Sequence, residues 1–231
     1  MIYNKKCPVG ENIKDCGILN KQNSEVKLIL SHPDKYLDLV SKDLNKMISK
    51  RIWSKCKKCS IFFQHPRLDL DEMQILYSNV RSNEFRGETP EEYFERITSL
   101  PPEESENFKK IGKFKKYINI TNGKILDIGS GAGVFLYTFS KIFPKFELYA
   151  VDASPQFANY AKKKFKLNIL NDYFENLGKN VDYKFDVITV MHVFEHVDHP
   201  SSFLNKIKNY MHKDSVLIIQ SPDIKDFDEL Q

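Results

Sequence analysis

The sequence lacks a long apolar run and lacks an excess of charge of one sign. It contains no stretch of about 18 apolar residues, and its first residues do not join a basic segment to an apolar one. These absences argue against a membrane-spanning helix and a secretory signal, so we expect a soluble, cytosolic protein. Lys and Arg number 35 against 31 Asp and Glu, a net charge of +4. The two signs are interleaved, which argues against a nucleic-acid-binding surface.

Glycine is scarce, and the nine glycines form neither of two common nucleotide-binding motifs. A dinucleotide fingerprint needs the spacing G-x-G-x-x-G/A, but counting from Gly129 its last position falls on Val134, whose branched side chain would crowd a pyrophosphate. No Gly-Lys-Ser/Thr is present to form a P-loop. The glycine pattern therefore excludes the usual sites for dinucleotides and nucleoside triphosphates.

Three of the glycines do alternate at one place, in the order strand, glycine turn and helix. An apolar run beginning at Lys124 leads into Gly129, Gly131 and Gly133, and a helical pattern follows. Glycines let a backbone turn sharply and approach a ligand closely, and the helix directs its positive end at that ligand. Asp127 ends the strand, where a carboxylate repels phosphate and attracts an ammonium or sulfonium group. The segment predicts a small-molecule pocket that favours a cation.

The segment from Asp127 to Gly133 resembles the first motif of class I S-adenosylmethionine (SAM)-dependent methyltransferases, and later segments agree in order. The resemblance implies that Asp152, at the end of a second strand (147–152), accepts the ribose hydroxyls of SAM. A third strand (167–170) leads to the adenine contact, for which Asn171, Asp172 and Tyr173 are alternatives. The cofactor-binding residues that the resemblance implies are Asp127, Gly129, Ser130, Gly131, Gly133, Asp152, Ala153, Asp172, Tyr173 and Met191.

The same resemblance implies an α/β fold with a Rossmann-like, doubly wound sheet. Two more strands are predicted, at 185–191 and 215–220, and the helices between strands at 134–142, 156–165 and 200–211. Five strands of the family's seven are present, so we expect a chain shortened at its C-terminal end rather than a naturally minimal enzyme. The predicted domains are a zinc-ribbon-like module (1–67), a helical connector (68–107) and the SAM-binding domain (108–231).

Candidates for catalysis follow the fourth strand. On one helical turn, His192, Glu195 and His196 would share a face at spacings i, i+3 and i+4. A histidine pKa near 6.5 suits a general base at neutral pH, so His192 is the first choice of base and His196 the second. Two alternatives remain: Glu195 and His196 bind a divalent metal, as in some family members, or they only hold the loop together. A zinc-protease motif is discounted because Pro200 follows too soon for a long active-site helix.

The four cysteines all lie within the first 59 residues, and disulfides are rare in a reducing cytosol. Cys56 and Cys59 have the two-residue gap of a zinc knuckle, and Cys7 and Cys16 form a less regular pair. The order resembles a small zinc-binding module found ahead of some sugar methyltransferases, with an apolar strand at 61–66. We predict a structural zinc bound by these four cysteines; ordinary buried thiols are the alternative, and His32 and His65 are substitute ligands.

The connector is predicted to be helical at 70–77, 90–98 and 103–117. It contains side chains that can bind an anionic or hydroxylated substrate: Arg81, Arg86, Tyr93 and Arg96. The resemblance alone implies that the methyl acceptor is a hydroxyl of a nucleotide-activated sugar or of a surface-polysaccharide precursor. The alternatives are C-methylation of a deoxysugar nucleotide, methylation of a phosphorylated small molecule, and a SAM-binding scaffold protein without activity. The sequence carries no signal of oligomeric state.

Overall fold

The structure of the protein is a computed structural model. It describes residues 52–55, 61–65, 71, 73, 77, 87–165, 168–171, 173–177 and 184–222. The chain divides into two compact units. One comprises Met1–Val80, Val197–Phe203 and Asp223–Gln231, and the other comprises Arg81–His196 and Leu204–Pro222. The second unit contains the parallel sheet and the candidate site.

The predicted α/β fold is confirmed. Within the described residues, five parallel strands form one sheet in the spatial order β5-β4-β3-β6-β7. Their bounds are β3 Asn122–Ile128, β4 Lys145–Asp152, β5 Asn168–Asn171, β6 Phe185–Met191 and β7 Met211–Gln220. The order reverses at β3, which pairs with β4 on one side and β6 on the other. Ligands of doubly wound sheets bind at the carboxyl ends of strands beside such a reversal.

The described strands overlap the ranges that the sequence predicts, and one boundary differs clearly. β7 begins at Met211, whereas the apolar pattern indicates a start at Ser215. Residues His212, Lys213 and Asp214 are exposed, so the first part of this strand carries no apolar signal. Boundaries of this kind are the least predictable part of a strand, because backbone pairing and not side-chain burial sets them.

The bounds of five helices follow from the described residues. They are α1 Pro90–Thr98, α2 Glu106–Phe114, α3 Val134–Ile142, α4 Pro155–Phe165 and α5 Pro200–Asn209. Leu136 and Phe139 of α3 are fully buried with Ile111 of α2 and with Ile125 of the sheet. This cluster fixes α3 against β3, and therefore fixes the turn that joins them.

Capping residues determine where the helices of the connector begin. Helix α1 has its predicted bounds, since Thr89 and Glu92 form a capping box in front of Pro90. The helix predicted at 103–117 is shorter: α2 begins after Ser105, whose side chain accepts a hydrogen bond from the Phe108 N–H, and it ends in a 3-10 turn, Lys115–Tyr117. Of the helix predicted at 70–77, the described positions 71, 73 and 77 are helical.

The described part of the other unit contains an antiparallel pair, β1 Ile52–Lys55 with β2 Phe62–His65. β2 confirms the apolar strand predicted at 61–66. The four cysteines and His32 lie outside the described residues, so the predicted zinc site stays a prediction. Among the described residues, no helix has the length and apolar character needed to cross a membrane.

Candidate cofactor and acceptor site

The glycine turn lies at the carboxyl end of β3, on the strand where the order of the sheet reverses. Gly129, Gly131 and Gly133 have φ angles of 76°, 55° and 78°, which residues with a Cβ rarely adopt. The Gly129 N–H donates to the carbonyl of Val151 on β4 at 2.7 Å. Helix α3 begins directly after Gly133, as the sequence predicts. The backbone N–H groups of this turn therefore have fixed positions beside the sheet edge.

Asp152, at the end of β4, binds the glycine turn. Its Oδ2 accepts a hydrogen bond from the Gly131 N–H at 2.6 Å, and its Oδ1 accepts one from the Ser154 N–H at 2.9 Å. The side chain is buried. The structure thus gives Asp152 a role in holding the turn, which is the alternative to a ligand contact that its position in the sequence left open, and its role on ribose stays a prediction.

Asp127 is buried and forms a hydrogen bond that the sequence analysis did not foresee. Its Oδ1 accepts a hydrogen bond from the Thr189 hydroxyl at 2.6 Å, and the two residues are register partners on β3 and β6. Burial, together with a smaller effect of the Asp152 charge, raises the pKa of Asp127 to about 7, although the hydrogen bond from the Thr189 hydroxyl lowers it. A lone hydroxyl residue inside the apolar run 185–191 was the signal that could have identified Thr189.

The segment after β6 packs directly against the glycine turn. A Cβ built on Gly129 would lie 2.2 Å from Cγ2 of Val193, so glycine is required there for steric reasons as well as for its φ angle. The backbone of His192 is left-handed, with φ of 55°, and its N–H donates to the Gln220 carbonyl at 2.8 Å. These contacts fix the candidate catalytic residues next to the turn.

The three candidate catalytic residues do not share a helical turn, which corrects the prediction. In this segment the residues Phe194–His196 form a 3-10 turn, and His192 precedes that turn with a left-handed backbone. Their side chains still come together: Oε1 of Glu195 lies 3.7 Å from Nδ1 of His192 and 3.9 Å from Nε2 of His196. Both imidazoles are about half exposed, at 47% and 52%, and Glu195 is 23% exposed. One oxygen of the Glu195 carboxylate therefore lies next to a ring nitrogen of each of the two accessible histidines.

The glycine turn and the segment after β6 lie in a part of the chain that matches a known family. A family model described as a methyltransferase domain matches residues 87–230, more than half of the chain. The chain belongs to this methyltransferase family. The class I SAM-dependent methyltransferase domain that the glycine turn predicts is thereby confirmed.

Relatives of the methyltransferase domain include two ubiquinone biosynthesis O-methyltransferases. The mitochondrial protein of Schizosaccharomyces pombe is 34% identical over 42% of this chain and 37% of its own. That of Glaesserella parasuis is 30% identical over 46% of this chain and 50% of its own. The chain thus spans half or less of the length of these relatives. The plantazolicin methyltransferase BpumL, solved with a monoazolic desmethylPZN analog and SAH, has a TM-score of 0.51 at 21% identity over 69% of this chain and 63% of that chain, which shows a shared fold.

The residues at this edge of the methyltransferase domain fit SAM. Buried acceptors are present on Asp127 and Asp152, and SAM offers cationic groups and ribose hydroxyls. The Ser130 hydroxyl is buried and has no hydrogen-bond partner among the described residues, so a polar ligand atom is a suitable partner. Met191 is partly buried against the core, and Ala153 and Tyr173 are partly exposed. Asp172 lies outside the described residues.

Two further predictions concern metal and the connector of the methyltransferase domain. Within the described ranges, no group of three His, Cys, Asp or Glu side chains is arranged to hold a metal ion. Arg96 forms an ion pair with Glu88 at 2.8 Å and lies over the Tyr93 ring, 5.5 Å from its centroid. Arg81 and Arg86 lie outside the described residues. Arg96 is therefore engaged within the connector, and its predicted role toward a substrate stays a prediction.

Proposed function

We propose that the domain transfers a methyl group from SAM to a hydroxyl oxygen of a small-molecule acceptor. One observation carries this proposal: the accessible His192–Glu195–His196 cluster is attached to the glycine turn through the contact of Val193 with Gly129. An accessible base at the cofactor turn is what methylation of a hydroxyl requires, because the acceptor proton must be removed. A scaffold protein that only binds SAM has no use for such a base.

The chemistry follows from the positions of these side chains. SAM supplies a methyl group on a sulfonium sulfur, which leaves as a neutral sulfide when the new carbon–oxygen bond forms. Asp127 and Asp152 bind the cofactor and hold it at the turn. His192 accepts the proton of the acceptor hydroxyl, and the neighbouring Glu195 carboxylate stabilises the imidazolium that results. The protein thus contributes mainly orientation and one proton transfer.

Two acceptor classes are proposed. The resemblance of the N-terminal cysteine pattern favours a hydroxyl of a nucleotide-activated sugar or surface-polysaccharide precursor. The two O-methyltransferase relatives favour a hydroxylated intermediate of ubiquinone biosynthesis. Both are oxygen acceptors, so the roles of His192 and Glu195 are the same in each. A carbon acceptor in a deoxysugar nucleotide and a phosphorylated small molecule are the remaining candidates.

The proposal is tested by incubating the protein with SAM that carries a deuterated methyl group and with each acceptor class in turn. We expect one class to gain the labelled methyl, detected by mass spectrometry, and fragmentation to place the label on oxygen. SAM binding without transfer to any acceptor would support the scaffold alternative. Transfer to carbon would contradict O-methylation while leaving the methyltransferase assignment intact.

We also propose that Cys7, Cys16, Cys56 and Cys59 bind one structural zinc in residues 1–67, ahead of the connector at 68–107. Elemental analysis of the purified protein is expected to give about one zinc per chain, because four thiolates are a typical ligand set for this ion. Cys56→Ser should lose the metal, while Lys57→Ser, in the gap between two of the proposed ligands, should retain it. Chelation should leave the α/β domain folded, since zinc contributes folding energy to the N-terminal module only. Purified protein without zinc would contradict this proposal.

A further inference from the structure

The hydroxyl of Thr189 is the described group that holds the buried carboxylate of Asp127. Thr189 is fully buried in the middle of β6, and Asp127 is 2% exposed at the end of β3. The 2.6 Å hydrogen bond joins Oγ1 of Thr189 to Oδ1 of Asp127. The second oxygen, Oδ2, forms no hydrogen bond with the described residues, so its acceptor capacity is available to a ligand. The bond therefore assigns different roles to the two oxygens.

The charges around Asp127 make this hydrogen bond important. The described part of the domain provides Asp127 with no lysine or arginine partner, and the nearby carboxylate of Asp152 repels its negative charge. Burial raises the pKa of Asp127 to about 7, and the Thr189 hydroxyl opposes that rise. The ionised form of Asp127 thus lacks a compensating cation until one is bound. A ligand cation at this position would supply it.

We propose that Thr189 is a positioning residue of the cofactor site: its hydroxyl occupies Oδ1 of Asp127 and leaves Oδ2 to bind a cationic group of SAM. This inference rests on the proposed function and adds a residue and a pH dependence to it. Binding of the cation requires the ionised carboxylate, so cofactor binding releases a proton from Asp127 whenever the free protein holds one. Thr189 acts only through Asp127, since it favours the ionised form and fixes its orientation.

The sign of the pH dependence follows from the raised pKa. Below pH 7 most Asp127 side chains are protonated in the free protein, and the cofactor must displace that proton. We therefore expect SAM affinity to increase as pH rises through 7, and to be roughly tenfold weaker at pH 6 than at pH 8. The described titratable groups at the same end of the sheet as Asp127 are Asp152 at the end of β4 and His192, Glu195 and His196 after β6. They are present in all the variants below, so comparison between variants isolates Asp127.

The test compares Thr189→Val with Thr189→Ser by calorimetric titration of SAM between pH 6 and pH 9. Valine removes the hydroxyl at nearly constant volume, and serine retains it. Loss of a hydrogen bond to a charged group should shift the midpoint of the affinity profile upward by about one to two pH units, which weakens SAM binding at pH 7 roughly five- to fiftyfold. Thr189→Ser should restore the wild-type profile.

Two controls accompany this test. Thr138→Val makes the same change at another buried threonine, whose hydroxyl donates to the Val134 carbonyl within α3, so its SAM profile should match the wild type. In the unmodified protein, 5′-methylthioadenosine is titrated as well, because it keeps the adenosine but lacks both the sulfonium and the amino-acid ammonium. Its affinity should not change across pH 7. This second comparison needs no variant to fold.

The outcomes separate the inference from the proposed function. If SAM fails to bind the wild-type protein at any pH, the proposed function is wrong. If SAM binds but its affinity is the same at pH 6 and pH 8, or 5′-methylthioadenosine shows the same pH dependence, the cation role of Asp127 is refuted. An unshifted profile in Thr189→Val would remove Thr189 from the site while leaving the methyltransferase assignment unaffected.

Discussion

His192→Ala should lower turnover by roughly 10²–10⁴-fold and leave SAM affinity within a few-fold of the wild type, because general-base catalysis contributes a factor of this size. The side chain of His192 is about half exposed and lies 3.7 Å from the Glu195 carboxylate, so an acceptor can reach it. Initial rates with saturating SAM measure turnover, and calorimetric titration measures cofactor affinity. A large loss of turnover with little change in SAM affinity would identify His192 as a base.

The matched control is His212→Ala. His212 lies in the first part of β7, near the amino-terminal ends of the strands, whereas the site lies at their carboxyl ends. Its side chain contacts Asp186 at 3.2 Å. Its removal should leave turnover unchanged.

If His196 is the base instead, His196→Ala will show the large effect and His192→Ala will not. If Glu195 and His196 bind a divalent metal, a chelator will abolish activity and magnesium or manganese will restore it. Full activity in both histidine variants without a chelator effect would contradict the proposed role of the cluster.

Gly129→Ala is expected to destabilise the domain by roughly 2–5 kcal/mol. The left-handed φ angle of 76° costs an alanine about 1–2 kcal/mol, and the new Cβ would lie 2.2 Å from Cγ2 of Val193, for which overpacking costs about 1–3 kcal/mol more. Relief of this clash requires the turn or the segment after β6 to move. SAM binding should therefore weaken as well. Denaturant titration measures the stability, and calorimetric titration measures the affinity.

Two variants separate the steric cost from the backbone cost. Gly87 has a similar φ angle of 69°, but no described atom lies within 4 Å of an added Cβ, so Gly87→Ala should show only the backbone cost. Val193→Ala in the Gly129→Ala background should recover part of the lost stability, because it removes the atom that the new Cβ meets. Equal destabilisation by Gly87→Ala and Gly129→Ala would mean that the Val193 contact does not constrain the turn.

Local patterns were sufficient to predict most of the secondary structure. The bounds of α1, α3 and β6 agree with the apolar periodicity, the capping residues and the glycine turn, which are all properties of neighbouring residues. The errors fall where local signals are weak. The exposed first part of β7 lacks an apolar pattern, and Ser105 starts α2 later than expected because it caps the helix. The spatial order of the strands was not predicted from the sequence, because periodicity along one strand does not identify its neighbours in the sheet.

The amino-acid sequence by itself determined the parallel α/β sheet, the glycine turn at the end of β3 and the methyltransferase family. The tertiary structure alone decided which side chains meet at that turn. Thr189 donates to Asp127 across 62 residues of sequence, and Asp152 binds Gly131 across 21. The His192 backbone is left-handed in a segment that Val193 packs against the turn, and no helical spacing predicts this. The reason is physical: such contacts depend on the register of neighbouring strands, which sequence spacing along one strand does not encode.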